Sequence, residues 1–213
     1  MTGFGATIAL MTQSTTQQPL GLRERKKLKA MRHIQDVALN LFDRDGYAHV
    51  TIERIASEAE VSPSSIYRYF GTKEMIVLWD EWDPVMLRAF DDKLAARDPI
   101  SALREVLTEV VTTALFQQDE RLIRRRMHYT MTEPAIRDGL NRQADVMAAE
   151  LAQVLAKHTG RDPDGLELRV VTAALIAAFV EAIAYWHDSG YRDSLRDIVD
   201  GALDVISRGL RVE

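Results

Sequence analysis

Residues 61–74 read VSPSSIYRYFGTKE, a short stretch in which hydroxyl and cationic side chains surround a few apolar ones. Its polar members are Ser62, Ser64, Ser65, Tyr67, Arg68, Tyr69 and Lys73. Hydroxyls of serine and tyrosine bond phosphate oxygens or base edges, and a guanidinium binds guanine or a phosphate. In a helix beginning at Pro63, Ile66 and Phe70 share one face, with Val61 just before it. That face would pack inward and leave the polar side chains to a groove of nucleic acid.

A structural interpretation of the same residues stays open. Tyr67 and Tyr69 could pack against a preceding helix, and Arg68 could be a solvated side chain. The stretch also has two cationic or hydroxyl neighbours that extend the surface. Thr51 can bond a phosphate through its hydroxyl and the free N–H groups of a helix start. Lys73, at the start of the next helix, could reach the nucleic-acid backbone.

A basic segment lies upstream of this stretch, and its cations are Arg23, Arg25, Lys26, Lys27 and Lys29. Such a segment can follow the DNA backbone or enter a minor groove, with salt-dependent and sequence-independent binding. The alternative is a solvated basic helix face.

Caps and apolar spacing predict the elements that position these side chains. A helix is expected from Leu22 to Arg44, with apolar residues three and four apart and Gly46 as its stop. Thr51 is a candidate N-cap for a short helix, and Ser62 caps another with Pro63 at its first position. Gly71 ends that second helix, and Thr72 caps the next one. Two short helices joined by a tight turn are typical of a helix-turn-helix.

The rest of the chain is also predicted to be helical. Expected helices cover about 73–96 with a break near 83 at a proline, then 100–118, 119–131, 132–158, 166–188 and 193–210. The fold is therefore predicted to be all-α: an N-terminal three-helix helix-turn-helix domain at 21–73, followed by a larger helical ligand-binding and dimerisation bundle at 74–213. Residues 1–20 are predicted to be a disordered tail.

Composition fits a soluble globular protein, since 46% of the 213 residues are hydrophobic and 28% are charged. The absence of cysteine excludes disulfides, thiolate nucleophiles and cysteine metal sites. The net charge of −5 is unevenly distributed. Residues 21–73 hold 10 Lys and Arg against 7 Asp and Glu, whereas residues 74–213 hold 17 against 25. A mildly basic module therefore precedes an acidic body.

The sequence does not favour a secreted or membrane protein. The first 20 residues lack the positive start of a signal peptide. The most apolar run, from Val170 to Tyr185, is interrupted by Glu181 and is predicted to be a buried helix. We therefore expect a cytoplasmic protein without membrane contact.

The run TIERIASEAEVSPSSIYRYFGTKEMI, with ALNLFDRDGYAHVT before it, resembles the DNA-binding segment of the tetracycline-repressor (TetR) family of bacterial transcriptional regulators. The resemblance is dense over about residues 27–77, and farther on only size and helical layout match. It implies an all-helical homodimer that binds double-stranded operator DNA, usually as a repressor, and is released by a small ligand. LIRRRMHYTMTEPAIRDGL at 122–140 is similar to an actinobacterial subgroup with acyl-coenzyme A-like ligands.

The resemblance also implies which side chains contact DNA. The family's contacts fall on Thr51, Ser62, Ser64, Ser65, Tyr67, Tyr69 and Lys73. By the same resemblance, Tyr67 and Lys73 contact phosphate, while Ser64, Ser65 and Arg68 are the expected base readers. Pro63 departs from the small or flexible residue of many relatives and removes one N–H that could donate to a phosphate. From the basic segment, Arg25 and Lys26 complete the predicted DNA-binding set.

A body of about 140 residues can enclose a small-molecule pocket. The candidate ligand contacts are large side chains on inward faces: Trp82, Met86, Phe90, Met127, Met131, Phe179 and Trp186. His128, Glu181 and His187 are candidate polar anchors. Each of these residues could instead be ordinary core or surface. No cofactor or metal is expected.

The last two predicted helices are the expected homodimer seam, because both are amphipathic and the first carries alanines that permit close approach. Packing of the same faces within the monomer is the alternative. Arg124, Arg125 and Arg126 are interpreted as a solvated helix surface, with a cationic rim for a phosphate-bearing ligand as the second possibility.

Two other classes of function are alternatives to a DNA-binding regulator. The sequence contains no HExxH, no GxSxG and no glycine-rich phosphate loop, so an enzyme is not expected. A helical protein–protein interaction module without specific DNA binding is the remaining alternative.

Overall fold

The computed structural model describes residues 21–80, 83–117 and 120–209, which form ten α-helices and no β-strand. They are α1 (Leu22–Asp45), α2 (Ile52–Glu58), α3 (Pro63–Phe70), α4 (Lys73–Leu78), α5 (Asp83–Leu94), α6 (Pro99–Gln117), α7 (Glu120–Thr132), α8 (Pro134–Thr159), α9 (Leu166–Asp188) and α10 (Leu195–Ser207). The predicted all-α fold is confirmed. Residues 1–20, for which we predicted a disordered tail, lie outside the described residues.

Hydroxyl side chains begin the three short helices of the N-terminal part. Thr51 accepts a hydrogen bond from the N–H of Arg54, and Ser62 accepts one from the N–H of Ser65. Thr72, at the start of α4, accepts one from the N–H of Met75. Gly71 ends α3 with φ +76°, a backbone conformation that favours glycine. These caps fix α2 and α3 as the two short helices of a helix-turn-helix.

Two features of this region differ from the prediction. A 3₁₀ turn, Tyr47–His49, follows α1, and its Tyr47 ring packs edge-on against Phe42 at 5.0 Å. The helix that starts at Lys73 ends already at Leu78, whereas we expected a break near Asp83. Local sequence did not reveal this early end, because the carbonyl groups at the end of α4 accept hydrogen bonds from side chains of distant helices.

Two hydrophobic cores underlie the architecture. The first joins α1–α4 to Tyr129 and Ile136 of the body. The second joins α5, α6, α8, α9 and α10. Because Ile76, Val77 and Leu78 belong to the first core, α4 packs with the N-terminal helices while its C-terminal end touches the body. The division into units at residues 73 and 74 stays a prediction.

Helix α9 is buried on one side only, and the prediction of a buried helix is wrong for its other side. Its buried residues are Leu168, Thr172, Leu175, Ala182 and Trp186. Its exposed apolar residues include Leu166, Val170, Val171 and Tyr185. By length and composition α9 is also the one helix in the described chain that could cross a membrane, a test that core helices of soluble proteins pass as well.

Candidate nucleic-acid interface and ligand cavities

Helix α3 separates into the two faces that the sequence predicted. Ile66 is fully buried and Phe70 nearly so, and Val61 packs against the same core. On the opposite side Tyr67 is 51% exposed, and Arg68 is exposed as well. A large aromatic side chain held in solvent beside a cation is available to a partner surface.

The polar side chains of α3 are organised by contacts among themselves. The hydroxyl of Ser62 lies 2.9 Å from the hydroxyls of both Ser64 and Ser65. Arg68 donates to the hydroxyls of Ser65 and Tyr69, and its guanidinium lies 4.9 Å from the Tyr69 ring centroid. Tyr69 is half-buried and packs against the first core, so the packing alternative holds partly for this tyrosine. The cluster presents preordered donors and acceptors at the front of α3.

The basic start of α1 lies beside this cluster. One concave surface is lined by Gly21, Leu22, Arg23, Glu24, Lys26 and Lys27 of the chain's basic segment together with Arg68 and Tyr69 of α3. The charged residues of this surface are therefore four cations and one carboxylate. Arg25 is exposed but does not line the concavity. The combined surface has the charge needed to approach a polyanion.

Lys73 differs from its predicted role as a phosphate contact. Its ammonium donates to the carbonyl oxygens of Tyr47 at 2.9 Å and Val50 at 3.0 Å. It also lies 3.9 Å from the centroid of the Tyr47 ring. Burial lowers the pKa of this ammonium below its ordinary value. In this structure Lys73 fastens α4 to the turn before α2, whereas Thr51 remains exposed at the start of α2 as expected.

A second contact at the start of α4 strengthens that attachment. The Tyr47 hydroxyl donates to a carboxylate oxygen of Glu74 at 3.0 Å. Burial and the neighbouring Glu74 carboxylate raise the pKa of Tyr47 above its ordinary value. Burial also pushes the pKa of Glu74 upward, but hydrogen bonds from its own backbone, Thr72 and Tyr47 outweigh that effect and lower it. The N-terminal end of α4 is therefore fastened to the turn that precedes α2.

The body contains an apolar cavity of about 90 Å³ between α5, α6, α8, α9 and α10, here called the bundle cavity. Met86, Phe90 and Phe179, three of the predicted ligand contacts, line it. Among its described lining residues, Glu150 is the one charged group, and it is exposed. The bundle cavity is suited to a hydrocarbon group.

A second cavity of about 130 Å³, the junction cavity, lies beside α4 and is bordered by α7, α8 and α9. Met127 and Met131, two of the predicted ligand contacts, line it. Its polar lining consists of Asp80, Arg126, Thr130 and Gln143. The two cavities share four lining residues: Met86, Met147, Ile176 and Phe179. The two cavities therefore adjoin, and two of the four shared residues are flexible methionines.

Two predicted ligand contacts do not belong to this set. Trp82 lies outside the described residues. Trp186 is buried and lines neither of these two cavities, so its role as a ligand contact stays a prediction. Its ring packs edge-on against Tyr191 at 4.7 Å and its indole N–H donates to the carbonyl of Asp193. It therefore fastens the loop between α9 and α10.

The three consecutive arginines divide between an open cleft and the protein interior. Arg124 and Arg125 border an open cleft that also contains His128 and His187, two of the predicted polar anchors. Arg125 binds Asp43 of α1 at 2.7 Å. Arg126 is only 4% exposed, so the solvated-surface interpretation is wrong for it. Its guanidinium reaches α4 and Asp80.

Sequence reasoning missed Gln35, Tyr47 and Arg126. Gln35 lies four positions after Met31 within the apolar stripe of α1, which was the available signal that it is buried. For Arg126 the signal was the run itself, because adjacent helical residues point about 100° apart. In the part of the chain that the structure describes, no group of three or more His, Asp or Glu side chains could hold a metal ion.

Comparison with known proteins adds information from outside the chain. A family model described as bacterial regulatory proteins, tetR family, matches residues 34–78, and one described as the MftR C-terminal domain matches residues 97–211. The transcriptional regulator TcmR of Streptomyces glaucescens is 32% identical over 159 residues, which cover 72% of this chain and 70% of TcmR. MftR of Mycobacterium tuberculosis, named as a regulator of mycofactocin biosynthesis, is 26% identical over 200 residues, with 87% and 93% of the two chains covered.

A solved structure supports the fold. The repressor FadR of Thermus thermophilus, in complex with lauroyl-CoA, superimposes with a TM-score of 0.52 at 18% identity. The match covers 86% of this chain and 96% of FadR. At this identity the likeness concerns the fold alone.

Proposed function

Because the chain belongs to the TetR family of bacterial transcriptional regulators, we propose that it is a ligand-responsive repressor that binds a palindromic operator as a homodimer. A small, largely apolar effector releases it from DNA. Its relatives are transcriptional regulators rather than enzymes. We place its activity in the cytoplasm, where the operator is.

The observation that carries the DNA-binding proposal is the exposed face of α3. Tyr67, Arg68 and Ser64 project from a helix whose other side is anchored by buried Ile66. The cations at the start of α1 adjoin that face. We propose that α3 enters the major groove, where Ser64, Ser65 and Arg68 read bases and Tyr67 holds a phosphate, while Lys26 contributes sequence-independent attraction.

The homodimer proposal rests on the exposed side of α9. Leu166, Val170, Ala173 and Ala177 are exposed at spacings of four, three and four residues, so they form one apolar stripe. Val205 of α10 is an exposed apolar residue of the neighbouring helix. We propose that α9 and α10 of two protomers form a four-helix bundle about a two-fold axis. A partner protomer then covers the side of α9 that faces solvent here.

The effector proposal rests on the two cavities. Their described linings are mostly apolar, and the Arg126 guanidinium in the junction cavity is paired with Asp80 at 3.0 Å. The FadR structure contains lauroyl-CoA, so an acyl chain is a suitable first probe. We propose that the effector is apolar or acyl-CoA-like and prefers the conformation that does not bind the operator.

Sequencing of the genomic fragments that the purified protein retains would test this function. We expect recovered fragments to share a palindromic site, to which the protein binds more tightly than to unrelated duplexes. Lauroyl-CoA, added to the complex, should release it if the cavities take an acyl chain. Retention of no common sequence would reject the repressor and favour the protein–protein module.

Tyr67→Ala supplies the matched test of the face. We expect at least a tenfold loss of affinity for the recovered site, with the dimer and the melting temperature unchanged. Tyr67→Phe retains the ring and removes the hydroxyl, so it separates the phosphate hydrogen bond from aromatic contact. Unchanged affinity in both variants would show that α3 presents another face to DNA.

A further inference from the structure

The C-terminal end of α4 is closed by two side chains from other helices. A helix end leaves four carbonyl groups without an intrahelical partner. Here the side-chain amide of Gln35, from α1, donates to the carbonyls of Ile76 and Trp79 at 2.8 and 2.9 Å. The guanidinium of Arg126, from α7, donates to those of Val77 and Leu78 at 3.0 and 3.3 Å. We call Gln35 and Arg126 the α4 clamp.

Both members of the α4 clamp are 4% exposed, so their bonds form away from water. An unpaired donor or acceptor in such a place is costly, because water cannot replace the lost partner. Arg126 carries a charge as well, which Asp80 balances at 3.0 Å and which the negative end of the helix dipole favours. The guanidinium therefore cannot shift independently of the end of α4.

Arg126 also borders the junction cavity, together with Leu78 and Asp80. Whatever occupies this cavity lies against the same guanidinium that holds two carbonyls of α4. Gln35, in contrast, does not line the cavity. Within the α4 clamp, Arg126 is therefore the member in contact with both the cavity and the helix.

Helix α4 is short enough to carry a displacement from one end to the other. It has six residues, and its first two, Lys73 and Glu74, bind the turn that precedes α2. Helix α8 limits its freedom on another side, since a Cβ at Gly139 would lie 3.0 Å from a methyl carbon of Leu78. A push on the C-terminal end therefore reaches the turn that positions α2 and α3.

We propose that Arg126 is the positioning residue that converts occupancy of the junction cavity into movement of α4. Material that fills the cavity displaces the guanidinium, the carbonyls of Val77 and Leu78 move with it, and α4 shifts against α1. This inference rests on the proposed function for its biological meaning. Its physical content, the coupling between cavity and α4, can be measured without DNA.

A double-mutant cycle tests the coupling without requiring the natural effector. Ala144→Leu adds volume to the junction cavity, which Ala144 lines, and so imitates occupancy. In the otherwise unchanged protein we expect it to weaken affinity for the recovered operator about tenfold, which is about 1.4 kcal/mol. Combined with Arg126→Gln, the same substitution should change affinity less than twofold. Val106→Phe, which adds volume in the bundle cavity, is the matched control and should have equal effects in both backgrounds.

Hydrogen exchange supplies the measurement that is independent of DNA. The Trp79 amide, which donates to Met75, should exchange faster in Ala144→Leu and should not accelerate further when Arg126→Gln is already present. If Arg126→Gln loses the native melting transition, Arg126→Lys replaces it. Lysine keeps the charge but cannot make the same pair of bonds. In the Arg126→Lys background we therefore expect Ala144→Leu to accelerate exchange at Trp79 about half as much as in the otherwise unchanged protein.

The outcomes separate the two proposals. Failure of the unmodified protein to bind any specific duplex overturns the proposed function, and exchange at Trp79 then decides the coupling alone. Specific binding with equal losses in both backgrounds, together with equal exchange, overturns the role of Arg126 and leaves the repressor proposal intact.

Discussion

At the scale of single residues, the side chains of α3 and those of α4 illustrate two kinds of polar surface. Tyr67 and Arg68 are exposed. Arg68 donates to Ser65 and Tyr69 through one terminal nitrogen only, so both side chains retain hydrogen-bonding capacity for a partner. The Lys73 ammonium, in contrast, donates hydrogen bonds to two carbonyl groups within the protein. The two kinds of residue should respond differently to substitution, although both were assigned to DNA contacts by resemblance.

Lys73→Met should destabilise the fold without changing the salt dependence of DNA binding. Loss of two charge-assisted hydrogen bonds predicts about 1–3 kcal/mol less stability in urea unfolding. A phosphate contact would instead reduce the slope of log affinity against log salt by about one. Lys26→Met is the control, because this exposed cation should reduce the slope and leave stability unchanged. A reduced slope with normal stability in Lys73→Met would restore the phosphate contact.

Tyr47→Phe should destabilise the protein at neutral pH and matter less in acid. It removes one hydrogen bond that lowers the pKa of Glu74, whose ordinary value is 4.5. A carboxyl with a lowered folded-state pKa contributes stability that is present above its unfolded value and is lost as pH falls through the folded one. We expect a difference of about 1 kcal/mol at pH 6–8 that shrinks below about pH 4.5. Urea unfolding across that range measures it. Tyr185→Phe removes the hydroxyl of an exposed tyrosine and should show no difference in stability. A stability difference for Tyr47→Phe that grows as pH falls would contradict the assignment.

Residue exposure on α3 could be predicted from sequence because a short helix with a proline start allows one inward face. The contacts of Lys73 and Arg126 could not, because their partners lie far along the chain. The Arg126 contacts with α4 join residues 48 and 49 positions apart. Composition and periodicity contain no information on which distant carbonyl a buried cation will bind.

At the scale of elements, local signals specified helix bounds well. Helix α8 was predicted at 132–158 and occurs at Pro134–Thr159, and α10 was predicted at 193–210 and occurs at Leu195–Ser207. Hydroxyl caps, prolines and glycines act within one turn, so they can be identified from adjacent residues. The 3₁₀ turn and the early end of α4 depend on Tyr47, Gln35 and Arg126 contacts across helices, and they were missed for that reason.

Ile66→Ala should destabilise the N-terminal part much more than Tyr67→Ala, although the residues are adjacent in α3. The Ile66 side chain is fully buried, and its truncation leaves a cavity in the first core. Such truncations cost about 2–5 kcal/mol. Tyr67→Ala removes an exposed ring and should stay within about 0.5 kcal/mol. Thermal unfolding of both variants compares them, and similar melting temperatures would mean that α3 is rotated relative to this structure.

At the scale of the whole molecule, α9 links the bundle and junction cavities to the proposed dimer seam. Its inward side lines both cavities through Ile176 and Phe179. Its outward side carries the apolar stripe from Leu166 to Ala177. In the proposed dimer, α9 contacts the cavities on one side and the partner protomer on the other. The position of the α3 helix of each protomer would therefore depend on the same bundle. Two-fold symmetry then sets their separation, which a palindromic operator matches at about 34–36 Å.

Val170→Glu should convert the protein to monomers and abolish operator binding while the protomer stays folded. Val170 is 57% exposed in the protomer. The carboxylate therefore causes no strain there, but the proposed seam would bury one copy from each protomer. Burial of an unpaired charge costs several kcal/mol, enough to dissociate an interface of ordinary size. Val146→Glu on α8 is the matched control, since Val146 is 58% exposed and lies outside the stripe. Light scattering after size exclusion should show half the mass for Val170→Glu alone, with both variants retaining the melting transition of the protomer. A dimeric Val170→Glu beside a monomeric Val146→Glu would move the seam to α8 and separate the apolar stripe of α9 from dimer formation.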